Sequence, residues 1–288
     1  MKWMYNGQVI DHKDLTIPVN DHGFLYGIGL FETFRVYDAT AFLFDEHMSR
    51  LQKGLPLIGI DFRLSKTEIL QQLKLLLETN SVQNAYIRLT ITAGEAPLGL
   101  PAEKYNNPSV IWQIKSLGPI KEGVTVAKKA VILKQRRNLP ETSIRLKSLN
   151  FLNNVLAKQE ILNEKDTEGF FLTHEGYLAE GIVSNIFFIK DNKLYTPSLN
   201  TGILNGITRQ HVINISKRNN IPIAEGLFTP EDLYRADSIF ITNSIQEIVR
   251  ITTLDGIEYP YHEDDLIDFL VKEYKSSVKE AILKNKER

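Results

Sequence analysis

Two arginines and one predicted helix start stand out in this sequence because their types and surroundings suit anion binding. Arg50, in DEHMSRLQ, lies off the helical stripe through Leu51 and Leu55, so packing does not require it, and its planar guanidinium suits a phosphate. Arg88 sits in the middle of the polar face of a predicted strand. A helix predicted to begin at Gly206-Ile207-Thr208 would aim free N–H groups and a hydroxyl at an anion. Each arginine could instead be a solvated surface residue.

Composition and spacing exclude several other kinds of site. The chain has no cysteine, which excludes disulfides, iron–sulfur clusters and cysteine-ligated zinc. Its six histidines do not fall at metal-ligand spacing, so we expect no metal site. Neither a Walker A sequence nor a G-x-S-x-G elbow occurs, and Gly27-Ile28-Gly29 lacks the third glycine of a dinucleotide fingerprint.

The charge balance argues against nucleic acids and membranes as partners. Among the 288 residues, 34 basic and 35 acidic side chains give a net charge of −1. No apolar run approaches the roughly 20 residues that a bilayer span needs. The opening MKWMYNGQVIDHKD has no apolar core of a signal peptide. We therefore predict a soluble, cytoplasmic protein.

Residues 1–117 are predicted to form an N-terminal α/β lobe. An Asn6-Gly7 turn predicts a hairpin, and the second half of DHGFLYGIGLFETFRVYD alternates as a strand. Asp45 is expected to cap one helix, and Ser65 to Glu68 form a capping box before the next. Strands AYIRLTIT and SVIWQIKSL follow. The predicted buried stripes of the two helices are Met48, Leu51, Leu55 and Ile58, and Ile69, Leu70, Leu73, Leu76 and Leu77.

Glycine, proline and charge cluster at 118–123, which predicts a linker before a C-terminal α+β lobe at 124–288. This lobe is expected to contain a strand (VTVAKKAVIL), a mostly helical stretch (RLKSLNFLNNVLAKQEILNEKD) and two hairpins (FFLTHEGYLAE and NIFFIKDNKLYTP). A helix from about Thr208, a helix start at Thr229-Pro230, a strand (SIFITNS) and an amphipathic last helix follow. The mixture predicts an α+β fold rather than a doubly wound parallel sheet.

Six segments resemble the class IV aminotransferase family, which comprises the fold-type-IV enzymes that use pyridoxal 5'-phosphate (PLP). They are DHGFLYGIGLFETFRVYD, FDEHMSRL, RLKSLNFLNNVLAKQEI, GYLAEGIVSNIFFI, YTPSLNTGILNGITRQ and IFITNSIQEI. The resemblance rests on all six occurring in the order and at the separations of the family. It implies a two-domain fold similar to that of D-amino acid aminotransferases, with PLP between the lobes, and a homodimer.

The resemblance also assigns roles. Lys147, in RLKSLN, would carry PLP, and Glu180, in LAEGIVSN, would keep the pyridine nitrogen protonated. A solvated lysine has a pKa near ~10.4 and is a poor base at neutral pH, so burial or a cation such as Arg145 would have to lower that pKa. The remaining cofactor contacts would come from Arg50, Leu204, Ile207, Thr208 and Thr242, with Asn243 after it. Each of three residues also has a structural alternative. Lys147 could be a solvated lysine at a helix start, Glu180 could lie at the end of a strand, and Thr242 could cap a turn.

Within the family, LYGIGLFETFRVYD, RRNLPETSIRLKS and NVLAKQEI look most like the aminodeoxychorismate lyases. Those enzymes release pyruvate from 4-amino-4-deoxychorismate and leave 4-aminobenzoate for folate synthesis. The resemblance implies that Lys147 moves the proton and that Thr33 lies near the substrate. Arg35 and Arg88 are the candidates for the two substrate carboxylates, with Arg136 and Arg137 behind them.

Two alternatives remain open. A D-amino acid or branched-chain aminotransferase would share the cofactor residues. Against it, AGEAPLGLPAE lacks the arginine and histidine of the D-amino acid enzymes, and Phe151 is found near the place of the tyrosine of the branched-chain enzymes. The other alternative, a non-catalytic protein with this fold, has no need of Lys147, Glu180, Arg50 and Thr208 together.

Overall fold

A computed structural model of the chain describes residues 1–63, 65–118, 126–263 and 265–287. The chain divides into two compact units. Unit 1 comprises Met1–Lys121, Leu146–Asn150 and Glu280–Arg288, and unit 2 comprises Glu122–Arg145 and Phe151–Lys279. Residues 119–123 of the predicted linker lie outside the described residues.

Unit 1 is built on a six-stranded antiparallel sheet with the order β2-β1-β6-β5-β3-β4. Its strands are β1 (Lys2–Tyr5), β2 (Gln8–Asp11), β3 (Gly29–Tyr37), β4 (Thr40–Ala41), β5 (Ala85–Thr92) and β6 (Ser109–Ser116). The helices are α1 (His22–Tyr26), α2 (Phe44–Gly54) and α3 (Lys66–Asn80), and a 3-10 turn covers Leu55–Ile58. The predicted hairpin at Asn6-Gly7 is confirmed.

Two of the three helix starts of unit 1 test the capping predictions. The capping box at Ser65 and Glu68 is confirmed in both directions. The prediction for Asp45 is wrong, because α2 begins at Phe44 after Leu43 in the left-handed conformation, which places Asp45 in the first turn. There its carboxylate still complements the helix dipole. Leu70 is also 39% exposed rather than buried, whereas the other four residues predicted for the stripe of α3 are buried.

Unit 2 contains a nine-stranded mixed sheet with the order β12-β11-β10-β13-β14-β7-β8-β9, and β15 pairs with β14. Its strands are β7 (Val126–Ile132), β8 (Thr167–Leu172), β9 (Leu178–Gly181), β10 (Asn185–Lys190), β11 (Lys193–Pro197), β12 (Ile223–Gly226), β13 (Ser238–Asn243), β14 (Glu247–Leu254) and β15 (Ile257–Glu258). Parallel pairing joins β11 to β12, β14 to β7 and β7 to β8. The mixture of hairpins and crossovers confirms the predicted α+β class.

The helices of unit 2 begin where the sequence predicts, with one exception. They are α4 (Leu152–Glu160), α5 (Ile207–Arg218), α6 (Pro230–Tyr234) and α7 (Leu266–Lys286), whose last residues belong to unit 1, and a 3-10 turn covers Leu199–Thr201. Thr229 caps α6 through a capping box with Asp232. The stretch predicted as mostly helical from Arg145 is helical only over α4. No helix among the described residues is long and apolar enough to cross a membrane.

Candidate active site

Lys147 lies in a short extended segment that pairs with the first residues of β3. The Phe31 N–H donates to the Lys147 carbonyl at 2.9 Å, the Leu149 N–H donates to the Gly29 carbonyl at 3.0 Å, and Leu30 and Ser148 form a bridge between them. A side chain at position 29 would meet Leu149 Cδ1 at 2.7 Å, so the glycine permits this close approach. The prediction of helix here is wrong because the backbone groups of this segment bond to β3 instead.

The Lys147 amine faces an aromatic ring that it shares with an arginine. Lys147 Nζ lies 4.6 Å from the centroid of the Phe31 ring, and Arg88 Cζ lies 3.6 Å from the same centroid. Phe31 is only 4% exposed, so the lysine amine and the guanidinium both contact a largely desolvated ring. Phe31 is a residue of this site that was not predicted. Its alternation with Thr33 along β3, which places the two side chains on one face, is the sequence signal that could have identified it.

Thr33, Arg35 and Arg88 lie on one face of the sheet, as strand pairing requires. Thr33 is directly opposite Arg88, and Arg35 is directly opposite Tyr86. Burial lowers the pKa of Arg88, and its Nε donates to Thr90 Oγ1 at 3.2 Å. The structure therefore brings the three residues predicted to meet the substrate together on the polar face, next to the ring that contacts Lys147.

Arg50 is part of a buried cluster on the opposite face of β3. Its Nε and Nη2 each donate to one oxygen of the Glu32 carboxylate at 2.7 Å. His47 Nδ1 lies 2.6 Å from Glu32 Oε2. Burial opposes the charge on Glu32, but Arg50 and His47 together lower its pKa from 4.5 to about 2. Burial lowers the pKa of His47, so the histidine is the neutral member and donates its Nδ1 hydrogen to the carboxylate.

Glu180 and Leu204 come together in unit 2. Glu180 is 5% exposed, and its Oε2 accepts a hydrogen bond from the Leu204 N–H at 3.0 Å. Its Oε1 accepts from Arg137 Nε at 2.7 Å, and Arg145 Nε lies 3.9 Å away. Burial and the neighbouring Arg137 lower the pKa of Arg145 to about 10. Arg137 was predicted as a further candidate, after Arg35 and Arg88, for binding a substrate carboxylate, whereas in the structure it is paired with Glu180.

The start of α5, in unit 2, has the features of an anion-binding site. Gly206 precedes the helix and offers no side-chain cap, so the first N–H groups of α5 keep their donor capacity. A Cβ on Gly206 would meet Asn185 Oδ1 at 2.0 Å, which restricts this position to glycine. Thr208 is 2% exposed. Asn185, which fixes the loop by donating to the Leu204 carbonyl, is directly opposite Thr242.

The Thr242 hydroxyl supports an anion site at this position. Thr242 is 1% exposed, and among the described residues its Oγ1 has no hydrogen-bond partner. Buried hydroxyls normally find a partner, so an orphaned one beside a helix start suits a ligand with acceptor oxygens. Asn243 is different, because its Oδ1 accepts from the Ile245 and Gln246 N–H groups and so caps the next turn. The donor set fits a phosphate.

The chain matches the amino-transferase class IV family over residues 29–254 and belongs to this family. It is thus an enzyme with the fold-type-IV fold, as the sequence predicted.

Among its relatives, the aminodeoxychorismate lyase of Bacillus subtilis is 42% identical over 279 residues, which cover 96% of this chain and 94% of the relative. A putative branched-chain-amino-acid aminotransferase of Methanocaldococcus jannaschii is 38% identical, covering 89% of this chain and 88% of the relative. The crystal structure of a putative 4-amino-4-deoxychorismate lyase from Legionella pneumophila superposes with a TM-score of 0.84 at 27% identity, covering 93% of this chain and 97% of that one.

Proposed function

We propose that this enzyme is an aminodeoxychorismate lyase, which eliminates pyruvate from 4-amino-4-deoxychorismate and leaves 4-aminobenzoate for folate biosynthesis. The observation that carries the proposal is the polar face of unit 1, where Arg35 and Arg88 flank Thr33. Because the substrate has two carboxylates, two guanidinium groups on one face suit it well. The 42% identity to the Bacillus subtilis lyase supports the same activity.

The cofactor of this reaction would be PLP. When bound, it supplies an electron sink conjugated to the amine-bearing carbon of the substrate. Lys147 would carry it, and Glu180 would meet its ring nitrogen, since a carboxylate has about four lone-pair sites and only some are used by Arg137 and Leu204. The other contacts are proposed to come from Arg50, Leu204, Ile207, Thr208 and Thr242.

Lys147 is proposed to move the proton in the reaction. Its amine removes the proton from the amine-bearing carbon and gives it to the methylene carbon of the departing enolpyruvyl group. The C–O bond to that group breaks, pyruvate leaves, and the ring becomes aromatic. No atom is gained or lost, so the enzyme needs neither an amino acceptor nor a second half-reaction. Thr33, directly opposite Arg88, would donate its hydroxyl hydrogen to the bound substrate.

A paired product assay tests this proposal. The holoenzyme receives 4-amino-4-deoxychorismate, and pyruvate and 4-aminobenzoate are measured; in parallel it receives D-alanine or L-leucine with 2-oxoglutarate, and glutamate is measured. We expect pyruvate and 4-aminobenzoate in equal amounts and little glutamate. Glutamate without 4-aminobenzoate would overturn the lyase assignment.

The second candidate is an aminotransferase for branched-chain or D-amino acids. The 38% identity to the putative branched-chain enzyme favours it, and it would use the same lysine and phosphate contacts. Two features oppose it. The AGEAPLGLPAE segment has no arginine or histidine, and Phe151 is found where a hydroxyl-bearing tyrosine is expected. A non-catalytic role is tested by the same preparation, because a protein that stays colourless when PLP is supplied could not be either enzyme.

We further propose that the enzyme is a homodimer. Helix α4 buries Ala157 but exposes an apolar stripe consisting of Leu152 (68% exposed), Val155 (45%) and Leu156 (43%). Such a stripe is typical of a surface covered by another subunit. Light scattering on a sizing column should give twice the chain mass of 32.9 kDa, and L152E/L156E should reduce it. The cytoplasmic location stays a prediction from the sequence.

A further inference from the structure

Glu32 occupies a position at which packing alone would select an apolar side chain. It shares its face of β3 with Leu30, Phe34 and Val36, all members of the hydrophobic core of unit 1. Glu32 itself is 1% exposed. Burying a carboxylate removes its hydration, and well-packed apolar residues often replace buried ion pairs at no cost in stability. The stability of the core therefore does not account for a glutamate here.

The partners of Glu32 are arranged to hold one side chain in one orientation. Arg50 meets both carboxylate oxygens through Nε and Nη2, so the two groups lie as a planar fork. His47, one helical turn before Arg50 on α2, donates to Oε2, the oxygen that also accepts from Arg50 Nη2, and adds a third bond that holds the carboxylate. A guanidinium held by two parallel bonds cannot rotate without breaking both.

Exposure differs within the cluster. The side chains of Glu32 and His47 are 1% and 2% exposed, whereas that of Arg50 is 19% exposed. Arg50 is therefore the member that reaches the surface of unit 1.

We infer that Glu32 is a positioning residue for the phosphate of the cofactor, acting through Arg50, and that His47 in turn positions Glu32. This inference rests on the proposed role of Arg50 as a phosphate ligand. The carboxylate fixes the guanidinium plane before PLP arrives, so the entropy of ordering the arginine is lost on folding rather than on binding. Selectivity for the phosphorylated cofactor over pyridoxal, which lacks the phosphate, then depends on Glu32.

The test compares PLP and pyridoxal on the full-length apoprotein. Dissociation constants for both are measured by absorbance for the wild type and the E32Q, E32D and R50Q variants. D265N is the matched control, because Asp265 forms a partly buried fork with Arg250 elsewhere in the chain. The rise in melting temperature of each apoprotein on adding inorganic phosphate is a second readout, independent of the activity of the loaded enzyme.

We expect E32Q to weaken PLP binding about tenfold while pyridoxal binding changes less than about twofold, because only the phosphate contact is misaligned. E32D keeps the charge but has a side chain that is one methylene shorter. Its dissociation constant for PLP should lie between those of E32Q and the wild type. D265N should leave unchanged the ratio of the affinity for PLP to the affinity for pyridoxal, called the ratio below. The stabilisation of the apoprotein by inorganic phosphate should shrink in E32Q and R50Q alone.

The outcomes separate the inference from the proposed function. If R50Q lowers the ratio and E32Q does not, Glu32 has only a structural role and the inference fails by itself. If R50Q leaves the ratio unchanged, Arg50 is not a phosphate ligand, and that part of the proposed function fails with the inference. If E32Q does not fold, the same dissociation constants are measured for H47L and H47N. H47N keeps a donor near the position of Nδ1 and should retain the ratio, and H47L should lower it.

Discussion

The depressed pKa of Glu32 predicts a specific acid sensitivity of the fold. The sign follows from the direction of the shift. A carboxylate whose folded pKa lies below its unfolded value contributes stability above pH 4.5, and this contribution is lost as the pH falls toward 2. A shift from 4.5 to about 2 corresponds to about 3 kcal/mol at neutral pH, relative to the same side chain kept protonated and not relative to an apolar residue. At pH 3 about 1 kcal/mol would remain, a loss of about 2 kcal/mol.

E32Q has no carboxyl group to titrate at this position, so comparing it with the wild type isolates the contribution of Glu32. Urea unfolding of the wild type and E32Q apoproteins between pH 7 and pH 3 gives the free energy of unfolding at each pH. We expect the difference between the two proteins to shrink by about 2 kcal/mol over this range. H47N is the control for His47, whose pKa is also lowered by burial and which could titrate within the same range. A difference that stays constant from pH 7 to pH 3 would refute the claim that Glu32 is ionised in the folded protein.

Three further predictions concern the proposed contacts. Borohydride reduction of the holoenzyme should label Lys147, read by peptide mass spectrometry, and label on any other lysine contradicts its assignment. R88K should raise KM for 4-amino-4-deoxychorismate about tenfold or more, because an ammonium cannot make the two parallel bonds of a guanidinium. R63K, at an exposed site, is the control and should leave KM unchanged. An unchanged KM in R88K would show that Arg88 does not bind the substrate. T242V should leave the apoprotein as stable or more stable by up to ~1 kcal/mol in urea unfolding, because the lost hydroxyl has no partner among the described residues. The same variant should weaken PLP binding several-fold, and an unaltered affinity would argue against Thr242 as a contact.

Local signals in the sequence predicted the elements whose causes are local. The Asn6-Gly7 turn, the capping box at Ser65 and the proline after Thr229 each act within four residues, and all three are confirmed. The extended segment at Lys147 could not be predicted in this way. Its backbone bonds go to Gly29 and Phe31, more than a hundred residues earlier, and no nearby residue signals that pairing.

The candidate site was partly predictable for the same reason. Strand alternation places Thr33, Arg35 and Arg88 on one face, and the register confirms it. The same alternation places Glu32 on the apolar face, and a carboxylate there is a signal that a buried partner exists. The pairing partner could not be identified from the strand alone, because Arg50 reaches Glu32 from a different element.

The discontinuity of unit 1 has a consequence for its biosynthesis. A nascent chain that has emerged only as far as residue 121 contains all six strands of the first sheet, yet the edge of β3 at Gly29–Phe31 still lacks the segment that pairs with it. Until residues 146–150 leave the ribosome, that edge offers unpaired N–H and C=O groups to any other strand nearby. Since the same short segment carries Lys147, the nascent domain gains its candidate reactive amine and the protection of its exposed edge at one moment of synthesis.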